Sequence, residues 1–166
     1  MKAERSEAVA AETAGASASS FLEATALKNA VARLRERADP RARALRLTIE
    51  PDRVLLQSED LGAPGTIQQL EYENGRVHGP VRVVLKGSGD LEDNLFDLDQ
   101  ARLEAVPALA RAAIARIDPA HGKVDSVVLR RHLPHDDQLR FRVFVESPLM
   151  NGQLDGDAEG RPLTGI

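Results

Sequence analysis

His132 and His135 stand three residues apart, with Asp136 and Asp137 beside them. Imidazole plus carboxylate is a donor set that suits zinc or nickel. A spacing of three brings two ligands to one metal readily on a helix, but this segment contains Pro134 and joins two strand-like runs. It reads as a solvated hairpin loop, and no metal site is expected. The acidic pairs Glu59/Asp60, Glu92/Asp93 and Asp97/Asp99 have the types for acid–base work. Catalytic carboxylates need burial or a charged neighbour to move their ionisation, and these lie in polar stretches. The run Asp90–Asp99 lacks the ligand order and central glycine of an EF-hand loop. Lys86-Gly87-Ser88-Gly89-Asp90 is glycine-rich but lacks Walker spacing and reads as a linker. Serines 58, 88, 126 and 147 have no nucleophile-elbow context. With no cysteine in the chain, disulfides, thiolate metal sites and cysteine nucleophiles are excluded. The sequence therefore points to no catalytic residue and no cofactor, and a non-enzyme is expected.

The remaining candidates are arginines. If Phe141 and Val143 face a core, then Arg140, Arg142 and Phe144 face the other way, and Arg130 and Val128 on the preceding strand can join them. Arginine beside an exposed aromatic is what protein-interface hot spots favour. Arg130, Arg140, Arg142 and Phe144 are thus the expected partner-binding residues.

The elements that would position them follow from periodicity. The chain of 166 residues is 42% hydrophobic and 29% charged, with net charge −4, which suits one globular domain or two small ones. Five aromatics, Phe21, Tyr72, Phe96, Phe141 and Phe144, are too few for a base-stacking platform, and the net acidity gives no reason to expect nucleic acid. No apolar run reaches the ~18–20 residues that cross a bilayer, and no secretory h-region is visible. Charge is uneven: residues 23–46 carry seven basic and three acidic groups, residues 47–104 five basic and twelve acidic. The two stretches are expected to neutralise each other in the fold.

Residues 1–20 are Ala, Ser, Glu and Thr with almost no large apolar group, and read as a flexible tail. From Phe21 a helical stripe runs through Leu27, Ala30, Val31 and Leu34 and stops at Asp39-Pro40. Leu45, Leu47 and Ile49 then alternate with Ala44, Arg46 and Thr48 as a half-buried strand. Strands follow at 53–58 and 66–73, and Asn74-Gly75 turns the chain into a return strand. Leu95–Leu98 reads as a short edge strand. Leu103, Val106, Ala110, Ala113, Ile114 and Ile117 form a second helical stripe, with the start drawn toward Val106 by Pro107 and the end at Asp118-Pro119. Strands at 124–131, 138–146 and 151–155 complete the chain.

The same order thus occurs twice: helix, Asp-Pro, three strands, Gly-Arg turn, over residues 21–77 and 103–163. The expected fold is α+β, two tandem helix-plus-antiparallel-sheet units (αβββ) over 21–98 and 99–166, sharing an interface or merging their sheets. This order, with Asp157-Ala158-Glu159-Gly160-Arg161 closing the second copy and Glu73-Asn74-Gly75-Arg76 the first, resembles the PepSY-type domain. That family has a helix followed by three strands and often ends in an Asp-x-x-Gly-Lys/Arg turn. The chain departs from it in lacking aromatics on its strands. A similar tandem architecture occurs in the beta-lactamase-inhibitor-type fold. The resemblance implies a non-catalytic module that binds or restrains another protein, in the bacterial periplasm or tethered to the envelope; a cytoplasmic location is the other option. Rich Ala, Arg and Leu with little Lys fits a GC-rich bacterial genome. The alternatives are a small-molecule binder or enzyme with a helix–sheet cleft, and a structural subunit of an assembly.

Overall fold

The computed structural model describes residues 20–87 and 89–163. The expected tail at 1–20 lies almost wholly outside them.

Helix α1 (Ala24–Ala38) begins where the Glu23 carboxylate accepts from the backbone N–H groups of Thr25 and Ala26. Its buried face is Leu27, Ala30, Val31, Leu34 and Ala38. At its end Asp39 takes φ 108°, and its Oδ1 accepts from Arg41 N at 2.8 Å. Four strands follow: β1 (Ala44–Glu50), β2 (Arg53–Glu59), β3 (Ile67–Glu73) and β4 (Arg76–Val83). A one-turn helix α2 (Leu91–Asn94) and two short 3-10 turns, Leu98–Gln100 and Leu103–Ala105, lead into helix α3 (Val106–Ile117), with Pro107 in its first turn. Strands β5 (Lys123–Arg131), β6 (Leu139–Glu146) and β7 (Asn151–Gly156) close the fold.

All seven strands form one antiparallel sheet in the order β4-β3-β2-β1-β5-β6-β7. The fold is α+β, as expected, and the two strand groups merge edge to edge through β1 and β5. About that seam β3-β2-β1 mirrors β5-β6-β7, with β4 as an extra edge strand on the first half. Local details repeat as well. Asp118 ends α3 as Asp39 ends α1, and its Oδ1 accepts from Ala120 N as that of Asp39 accepts from Arg41 N. The turn glycines Gly75 and Gly160 have φ 77° and 81°. Both β1 and β5 carry a one-residue bulge near their start, at Leu45 and Asp125.

Helix α1 packs on β2, β3 and β4, and α3 on β5, β6 and β7. Both cover the same face. One continuous apolar core joins Leu27 and Leu34 to Leu47, Ile49, Leu56, Leu129, Phe141 and Val143, all essentially without solvent exposure. Neither α1 nor α3 packs on the opposite face of the sheet, where the one-turn α2 lies at the margin.

Two expectations need correction. Leu95–Leu98 is not a strand: Phe96 makes a single bridge to Ala44, Leu98 opens a 3-10 turn, and the segment serves as a buried plug with Phe96 1% exposed. Leu45 does not join the Leu47/Ile49 stripe. The bulge places Ala44 opposite Ser58 and Arg46 opposite Gln57, so Leu45 is the extra residue and buried Ala44 takes the core side.

Candidate interaction face

Residues paired across antiparallel strands point to the same side of a sheet. Gln69 pairs with Gln57, Gln57 with Arg46, and Arg130 with Arg140. The β1–β5 register, with Leu47 opposite Leu129, sets Arg46 beside Arg130. A lateral row Gln57, Arg46, Arg130, Arg140 therefore crosses four strands on the open face. The next row out on β5 and β6 is Val128 opposite Arg142, with Asp155 of β7 opposite Arg142 in turn.

The row is electrostatically uneven. Arg142 holds Asp155 in a two-point clasp, Nε to Oδ1 at 2.7 Å and Nη2 to Oδ2 at 2.9 Å. Arg140 Nη2 donates to Asp136 Oδ2 at 3.1 Å and its Nη1 lies 3.9 Å from Asp155 Oδ2. The Arg142 bond is the main reason the Asp155 carboxyl sits below its usual range. Asp136 is also lowered, first by the backbone N–H of Gln138 and then by His132. Arg46 and Arg130 have no ion pair among the described residues. Desolvation, and then the charge of Arg130, hold the Arg46 guanidinium below its usual value. Like charges directly opposite one another on neighbouring strands cost about 0.2–1 kcal/mol.

These side chains line a hollow of about 150 Å³ whose floor is Val128, 5% exposed beneath the arginine stems, and whose wall includes Phe144. All four residues singled out in the sequence, Arg130, Arg140, Arg142 and Phe144, border it. Arg46 was missed. Its alternation with Leu47 showed that it leaves the core side, but nothing local showed that β1 would neighbour β5.

The other candidates are placed as follows. His132 and His135 lie in the β5–β6 loop with ring centroids 4.9 Å apart, and His132 Nδ1 is 3.2 Å from Asp136 Oδ2. Among the described residues no group of three or more His, Cys, Asp or Glu is arranged to hold a metal ion. Glu59 and Glu92 both bind Arg43, at 3.0 and 2.6 Å, and Asp99 binds Arg35 at 2.8 Å. These pairs tie the basic α1–β1 stretch to the acidic middle of the chain. Ser58 is buried on the helix side of β2, with no hydrogen-bond partner for Oγ among the described residues. Ser147 Oγ accepts from the N–H groups of Leu149 and Met150 in the β6–β7 turn. No helix among the described residues is long and apolar enough to cross a membrane.

No protein-family model matches the chain, and no curated protein matches it. Among solved structures, the chain is similar to a protein of Clostridium difficile 630 provisionally described as a lipoprotein, with a TM-score of 0.61. The two are 13% identical, and the likeness covers 83% of this chain and 90% of that one. At that identity the likeness is one of fold.

Proposed function

We propose that this chain is a non-enzymatic binding or regulatory module of a bacterial protein, and that it presents the open side of its sheet to a protein partner. The observation that carries the reading is the asymmetry of the sheet. One side is sealed by two helices, and the centre of the other is a shallow arginine-rich hollow with Phe144 at its wall. Arginine and aromatic side chains on a rigid, pre-formed surface are the usual anchors of protein interfaces. The carboxylates there, Asp136 and Asp155, are held below their usual range, so they stay ionised as acceptors for arginine and do not act as acids near neutrality.

The PepSY-type resemblance and the shared fold with a protein described as a lipoprotein support a place in the cell envelope. The test is capture from the native host with the wild-type chain and with an Arg140→Glu/Arg142→Glu variant, circular dichroism verifying the fold. A partner held by the wild type and lost by the variant supports the reading. Equal recovery by both overturns it.

A further inference from the structure

A second hollow lies on the same side of the sheet, on the β4 side of the Arg46–Arg130 pair. Its volume is about 350 Å³, within the range of small-ligand sites. Four cations line it: Arg46 of β1, Arg130 and Arg131 of β5, and Lys86 from the segment after β4. None of the described residues lining it is a carboxylate, in a chain with 26 acidic and 22 basic side chains. Two of the three nearby acids along the chain, Asp90, Glu92 and Asp93, are engaged elsewhere. Asp90 caps α2 through Glu92 N, and Glu92 binds Arg43. Arg131 is fixed in place without being neutralised, since its Nε and Nη1 donate to the carbonyls of Leu95 and Asp137 at 3.1 and 2.9 Å.

We propose that this hollow binds a small polyanion bearing phosphate or clustered carboxylate oxygens, seated against Arg46 and Arg130. Arg46 and Arg130, neighbours across a rigid sheet, repel one another until an oxyanion enters; Lys86 and Arg131 also line the hollow, and no carboxylate is among its described residues. Guanidinium donors match both phosphate and carboxylate by paired hydrogen bonds. The concave shape suits a compact ligand better than an extended peptide. The site does not require the protein partner proposed above; it shares Arg46, Arg130 and Arg131 with that hollow, and Lys86 is its own.

Isothermal titration of the full chain with pyrophosphate and, separately, with citrate tests the proposal. At least one anion is expected to bind in the micromolar to low millimolar range, more weakly as sodium chloride is added. Arg46→Gln and Arg130→Gln are each expected to weaken it by about tenfold or more, while Arg111→Gln, on the exposed side of α3, leaves it unchanged. Binding of pyrophosphate alone assigns phosphate, citrate alone assigns carboxylates, and both assign oxyanion charge. Failure of both to bind below about 10 mM, or binding indifferent to Arg46→Gln and Arg130→Gln, overturns the proposal. Lys86 does not line the protein-binding hollow, and Arg140 and Arg142 do not line this one, so Lys86→Gln, expected to weaken anion binding alone, and Arg140→Glu/Arg142→Glu separate loss of anion binding from loss of protein capture.

Discussion

Leu47 of β1 lies directly opposite Leu129 of β5, both without solvent exposure, and this pair is the seam at which the two halves of the chain become one sheet. Truncating either side chain leaves a cavity between both helices and the sheet centre. Leu129→Ala is expected to lower the unfolding free energy by about 2–5 kcal/mol. Because the core is continuous across the seam, both halves are expected to melt together. Urea unfolding followed by Tyr72 fluorescence, which reports the first half, should coincide with far-ultraviolet circular dichroism; two separated transitions would contradict a shared core.

The two closing turns look alike in sequence but differ in what surrounds them. Gly75 and Gly160 both have positive φ, where an L side chain is strained. An alanine methyl at Gly75 would meet open space, whereas at Gly160 it would collide with the Cβ of Ala105. Gly75→Ala is expected to cost about 1 kcal/mol, and Gly160→Ala at least about 2 kcal/mol once overpacking is added. Chemical denaturation of the two variants checks the order.

Asp155 is held below its usual carboxyl range chiefly by its bond to Arg142. A folded-state value lower than the unfolded one means that the unfolded chain takes up the proton first. The stability Asp155 contributes is therefore fully present above the unfolded value near 3.8 and is lost as pH falls through the lower folded value. Asp155→Asn is expected to be less stable than wild type at pH 7 and to lose less on acidification. Urea midpoints measured from neutral pH down into the acid range would show whether the two curves converge.

Arg46 and Arg130 repel one another across the β1–β5 seam. Replacing Arg130 by threonine, a good strand former, is expected to raise stability by about 0.2–1 kcal/mol in the absence of added anions. The gain should shrink at high salt, where exposed charges are screened. Melting temperatures in dilute buffer and in molar sodium chloride test this, and destabilisation by Arg130→Thr at low salt would count against it.

Much of the architecture was readable along the chain because it is local. Helical spacing in Leu27, Ala30, Val31 and Leu34 and alternation in Leu139, Phe141, Val143 and Val145 each declare which side of an element is apolar. Asp39-Pro40 and Asp118-Pro119 mark helix ends through proline sterics alone. The same alternation put Arg140, Arg142 and Phe144 on the side away from the core before any pairing was known. The Leu45 bulge and the Phe96 plug were not legible, because each is decided by what a distant segment packs against: the register on β2 for the one, the bridge to Ala44 for the other.

Alternation tells a strand which way its side chains point, but not which strand will lie beside it. The pairing of β1 with β5 joins residues about 80 positions apart, and it is set by burying Leu47, Ile49, Val127 and Leu129 in one core. That choice alone brought Arg46 next to Arg130 and turned scattered surface arginines into a charged hollow. The chain's own order of residues determined two helix-backed strand groups and the polarity of each face. The folded molecule decided which strands touch, and with that where its positive charge is concentrated.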